Sequence, residues 1–92
     1  MTETLPKFSF TQNGTTVNVY HSKQGEGLPK HEHLFSHVTM CVAGSIIIRK
    51  EGVEKVFTKD SQPVNLVANE WHEIEALESG TIFINVFAEG TY

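Results

Sequence analysis

Gly25-Glu26-Gly27-Leu28-Pro29-Lys30-His31-Glu32-His33-Leu34-Phe35-Ser36-His37-Val38-Thr39-Met40-Cys41-Val42-Ala43-Gly44 is the stretch on which the reading of this chain turns. Three histidines stand in it, two and then four residues apart, out of five in ninety-two residues. On a strand of period two, all three side chains share a face. Fully extended, His31 to His37 would span roughly 20 Å, too far for three ligands of one ion. The segment must therefore bend near Leu34-Phe35, or His31 and His33 must belong to a loop before the strand. His72 is distant in sequence but follows the turn signal Asn69-Glu70, at the start of another strand. Imidazoles converging from neighbouring strands suit a borderline divalent ion such as Zn, Cu, Ni or Fe. A surface histidine on an alternating strand is the plainer reading of any one of them, but not of the set.

Outward from this stretch the chain reads as short strands. Runs of β-branched and aromatic residues alternate with polar ones, between Gly, Asn and Pro. Phe8–Gln12 and Thr15–His21 flank Asn13-Gly14, a dipeptide suited to a tight hairpin turn. Ser22–Lys30, with Gly25, Gly27 and Pro29, reads as a loop, and His33–Ala43 as a long strand. Ser45–Lys50, Val53–Thr58, Val64–Val67, Trp71–Ala76 and Thr81–Ala88 follow, separated by turn residues. No window carries a sustained i, i+3, i+4, i+7 pattern of apolar residues. Eight or nine strands in one short domain spanning residues 1–92 imply an all-β barrel or sandwich. Several strands are apolar on both faces, so one sheet is expected to be covered by a partner subunit.

Composition narrows the function. Seven basic against eleven acidic residues give a net charge of −4, with no basic footprint for nucleic acid. The longest aliphatic run, Ile46-Ile47-Ile48, is far short of the ~18 residues of a membrane span. Met1–Lys7 has no basic start and no apolar core of a signal peptide. One cysteine makes no internal disulfide. A cytoplasmic protein without nucleic-acid or membrane partners is expected.

With its glycines, the histidine stretch resembles the first motif of the cupins, G-x5-H-x-H-x3-E-x6-G. Gly25, His31, His33 and Gly44 keep every spacing, and His37 replaces the glutamate. The second motif, G-x5-P-x-G-x2-H-x3-N, is degraded over about residues 61–76. His72 keeps its histidine and Asn69 stands at a turning glycine, while Ser61, Val67 and Ala76 replace the other members. The resemblance, over about residues 25–76, implies a single-domain jelly-roll β-barrel, often a homodimer, with a metal near one mouth. It makes His31, His33, His37 and His72 the ligands of one divalent transition metal per chain. Fe or Mn is preferred, with Zn, Ni, Co or Cu as alternatives. Four neutral imidazoles leave the ion's full charge for whatever fills its open positions. A tetrahedral zinc would instead be closed by them.

The expected function is a metal-dependent enzyme acting on a small oxygen-rich or carboxylate metabolite. Its chemistry would be of the dioxygenase type, or a non-redox isomerisation or elimination. The alternative is a non-catalytic metal-dependent binding or sensor module, or a zinc-stabilised structural domain. No catalytic residue is assigned; Tyr20 and His21 are candidates for a base. Cys41 reads as a small hydrophobe, or else a thiolate ligand. Phe35, Trp71, Phe83 and Phe87 read as core or pocket wall. Glu32, Glu70, Glu73 or Glu75 could accept a ligand imidazole's free N–H. Arg49 could hold a substrate carboxylate, or point outward.

Overall fold

A computed structural model describes residues 1–89, and within them every regular element is a strand. These are β1 (Thr2–Glu3), β2 (Phe8–Gln12), β3 (Thr15–Ser22), β4 (Glu26–His31) and β5 (His37–Ala43). There follow β6 (Ser45–Lys50), β7 (Val53–Thr58), β8 (Val64–Leu66), β9 (His72–Ala76) and β10 (Thr81–Phe87). They form two five-stranded sheets, ordered β1-β4-β9-β6-β7 and β2-β3-β10-β5-β8. This is the jelly-roll β-barrel expected of the sequence; residues 90–92 of the expected domain lie outside the described part. No helix among the described residues is long and apolar enough to cross a membrane.

Alternation sets the layers. Ile46 and Ile48 of β6, Ile74 and Ala76 of β9, and Phe83 and Phe87 of β10 are all buried. Tyr20 and Phe83 stack with ring centroids 4.8 Å apart, joining β3 to β10 at the centre. Asn13 and Gly14 take φ of 50° and 81°, and the hairpin they turn sets β2 against β3 from Phe8↔Val19 to Gln12↔Thr15.

Two expectations are corrected. The Ser22–Lys30 loop contains β4: Gly27 lies directly against the Ile74 backbone of β9, and Leu28 is buried beside it. A strand carried on glycine, leucine and proline has almost no propensity signal, and packing alone makes it. The long strand begins at His37 rather than His33, because the chain bends over Leu34-Phe35. On β3, Thr16, Asn18, Tyr20 and Ser22 face inward, while Val17, Val19 and His21 face outward. The polar face is buried because its members are bonded: Ser9 Oγ donates to Asn18 Oδ1 at 2.6 Å, and Thr4 pairs with Ser22 at 2.8 Å.

Candidate metal centre

The bend at Leu34-Phe35 resolves the span problem. His31 ends β4, His33 hangs in the following loop, and His37 opens β5 on the opposite sheet. His72 opens β9, directly across from His31 in the β4–β9 ladder. Asn69, where a turning glycine was expected, takes a left-handed φ of 65°. Its N–H donates to the His33 carbonyl at 2.8 Å, tying the two histidine-bearing segments together.

The four rings gather at one end of the barrel. Centroids lie 4.5 Å apart for His31–His72, 4.8 Å for His33–His72, 4.9 Å for His33–His37 and 5.5 Å for His37–His72. His31, His33 and His72 each offer one nitrogen, and these three nitrogens lie within 4.8 Å of one another. A central ion at ~2.0–2.1 Å from each nitrogen would draw that set in only slightly. His33 Nε2 and His72 Nε2 are 3.1 Å apart, sharing a proton where an ion could sit.

Hydrogen bonds select which nitrogen each ring offers. His31 Nδ1–H donates to the Pro29 carbonyl at 2.6 Å, leaving the Nε2 lone pair for a ligand bond. The Thr39 hydroxyl donates to Asn85 Oδ1 at 2.6 Å, so its oxygen accepts Nδ1–H of His37 at 3.0 Å. That leaves Nε2 as the available nitrogen of His37 as well. The chain continues: Asn85 and Asn18 both hydrogen-bond the Tyr20 hydroxyl. Thr39 and Asn85 are wholly buried, and sequence reasoning passed over both. The signal was there in Thr39, two residues after His37 and therefore on its face.

Burial favours the neutral form of His33, His37 and His72. It pushes His37 down to about 3 and His72 to about 4, with the other imidazoles of the cluster adding repulsion. His33 is lowered for the same main reason. Neutral imidazole is the form that binds metal. Beside the cluster a cavity of about 580 Å³ opens between β1–β4 and β2–β3, lined by Ser9, Asn18, Tyr20, Leu28, His31 and His33 among others.

The remaining candidates fall elsewhere. His21 is exposed on the outer face, edge-on to Phe8 at 6.3 Å, and so is no base for this site. Tyr20 does line the cavity, but burial pushes its phenol up to about 12, so it stays protonated. Cys41 packs in the core, its thiol donating to the Ala43 carbonyl at 3.2 Å, and joins no ligand set. Arg49 is bound on the outer face by Glu75 at 2.8 Å, Glu54 at 3.1 Å and Glu73 at 3.5 Å. Glu73 and Glu75 are thereby engaged away from the histidines. For His31 and His37, a carbonyl and a hydroxyl take the part the carboxylates were expected to play. Of the aromatics, Phe87 packs on His37 at 4.7 Å, Phe83 is core, and Trp71 lies under Lys30 at 4.4 Å. Phe35 is half-buried in the bend.

Neither a protein-family profile nor any curated protein matches the sequence. Solved structures do. An uncharacterized conserved protein with a double-stranded β-helix domain from Klebsiella pneumoniae is 18% identical, over 97% of this chain and 79% of that one, with a TM-score of 0.77. An RmlC-like cupin protein from Desulfovibrio desulfuricans is 11% identical, over 96% and 85%, at 0.76. KdgF from Halomonas sp. is 16% identical, over 85% and 72%, at 0.76.

Proposed function

This chain has the cupin fold, and on that footing we propose that it is a metal-dependent enzyme acting on a small, oxygen-rich or carboxylate-bearing metabolite. The observation that carries the reading is the convergence of His31, His33 and His72 at the wall of a roomy, partly polar cavity. His37, turned by Thr39 to offer Nε2, is the fourth ligand in this reading. A divalent transition metal there, Fe or Mn by preference, supplies a Lewis acid and exchangeable positions for substrate and dioxygen. The chain's own side chains do the rest. His33, His37 and His72, held neutral by burial, would bind the ion together with His31, and Phe87 packs on His37. Asn18 and the protonated Tyr20 offer hydrogen bonds to substrate oxygens. Dioxygenase-type chemistry fits a site whose buried phenol is no base. A non-redox isomerase or lyase is the second reading, supported by Glu3 and Glu32, carboxylates that also line the cavity. The buried free thiol of Cys41 fits a cytoplasmic setting.

Elemental analysis of untagged protein, prepared without chelator beside His33→Ala, tests this. Near one iron or manganese per wild-type chain, falling below about 0.1 in the variant, is the expected result. Tightly held zinc with an unfolded variant would replace the enzyme by a zinc-stabilised structural domain. No metal in either protein after reconstitution would overturn the reading.

Thr39→Val keeps the shape of that side chain and removes the oxygen that holds His37 Nδ1–H. Metal affinity should fall about 10–100-fold, the usual cost of losing a partner behind a ligand. Competition with a chromophoric chelator measures it. An unchanged affinity would take His37 out of the ligand set.

A further inference from the structure

Among the described residues the two sheets share no ladder, so the sandwich has an open side at each pair of edges. The cavity beside the histidines lies on the β1–β4 and β2–β3 side. A second cavity, of about 570 Å³, opens on the opposite side, between β6–β7 of one sheet and β8 of the other. Its floor is apolar: Ile48 on β6, Phe57 on β7, and Val64 and Leu66 on β8. Lys50 and Lys55 line it too, and among the described residues no carboxylate does.

Alternation brings both lysines there. Ile46, Ile48 and Lys50 of β6 share the inner face, as do Lys55 and Phe57 of β7. In the β6–β7 ladder Lys55 stands opposite Ile48 and Lys50 opposite Val53, so the two lysines are diagonal neighbours. Such positions lie roughly 7 Å apart, close enough for both ammonium groups to reach one carboxylate. The acids of these strands point the other way: Glu54, with Glu73 and Glu75 of β9, is held by Arg49 on the outer face. Glu32, Glu51 and Glu70 line a neighbouring depression that Lys50 also borders. Among the described residues, even so, no carboxylate forms an ion pair with Lys50 or Lys55. Lys55 Nζ instead lies 5.4 Å from the centroid of the Phe57 ring.

We propose that this second cavity binds an organic anion with an apolar body, a carboxylate on an aliphatic or aromatic frame. Its head group would sit between Lys50 and Lys55, and its body over Phe57 and Leu66. Two like charges side by side repel until an anion joins them, and the floor offers the rest of the ligand only apolar contact. The volume lies within the usual range of small-molecule sites. None of the four histidines lines this cavity, so the proposal is independent of the metal reading.

Calorimetry with octanoate on the protein as purified should give one site per chain, with a dissociation constant at or below about 1 mM. Octanol, which lacks the charge, should bind at least about 10-fold more weakly. Lys50→Gln and Lys55→Gln should each weaken octanoate about 5–10-fold, while Lys7→Gln, outside the cavity, should not. Treatment with a chelator should leave the affinity unchanged. No octanoate binding at about 10 mM, or equal binding of octanol, would overturn the proposal. Unchanged affinity in both lysine variants would also overturn it, leaving the lysines as guards against strand addition at the β7 edge. Loss of binding on chelation would place the carboxylate on the ion instead. Should the variants misfold, methyl NMR on the wild type decides: octanoate should shift Val53, Val64 and Leu66. Shifts confined to other residues would discard this cavity.

Discussion

Taken from pH 7 to pH 5 without metal, the protein should lose about 4 kcal/mol of folding stability. The arithmetic rests on His37 and His72, whose pKa burial pushes to about 3 and about 4. Both remain neutral in the folded chain at pH 5. Unfolded, each takes up a proton below about 6.5, so the unfolded state gains about 2 kcal/mol per histidine by pH 5. The contribution is thus fully present above pH 6.5 and is lost as the pH falls towards their folded values. Carboxylates titrate mostly below this window, so the histidines govern it. Urea titrations at the two pH values should show a midpoint lower by about 2 M, given slopes near 1–3 kcal/mol/M. Equal midpoints would mean that the cluster opens to solvent or shares protons without cost.

Gly27→Ala should destabilise the protein by about 3–5 kcal/mol, although it adds only one methyl. The new Cβ would lie inside contact distance of the Ile74 carbonyl oxygen and against the Glu75 Cα. Both are backbone of the neighbouring strand and cannot rotate away. β4 and β9 would have to part, and with them the His31↔His72 pairing. Gly14→Ala is the control: its Cβ meets nothing within 4 Å, so only the left-handed φ of 81° is at issue, about 1–2 kcal/mol. Equal losses in the two variants would show that β4 and β9 are not held at that spacing.

Much of the architecture was legible before the coordinates. Asn13-Gly14 marked its hairpin, and the cupin resemblance carried by the spacing from Gly25 to Gly44, with His72 further on, implied the barrel and the set of histidines. What the sequence concealed follows one rule: hydropathy reports a residue's chemistry, not which side of the sheet the interior lies on. On β3 alternation separated Val17, Val19 and His21 from Thr16, Asn18 and Tyr20 without saying which set faces inward; the interior there is a cavity with polar walls, and the valines face out. His21 follows the valines out of the site for the same reason. β4 was hidden because Gly27 and Pro29 carry no strand preference, and its pairing to β9 exists only through tertiary contact. Arg49 was ambiguous until Glu54, Glu73 and Glu75, from two other strands, were seen around it.

The placement of the histidines bears on how long the chain survives. His31 and His72 belong to one sheet and His37 to the other, forty-one residues separating the first from the last. Motion that pries the sheets apart pulls this cluster apart, so a ligand joining all the rings acts as a clasp across the sandwich. At a free concentration one hundred times its dissociation constant, such a ligand adds about 2.7 kcal/mol to the closed state. Proteolysis that proceeds through the opened sandwich would then slow by about a hundredfold.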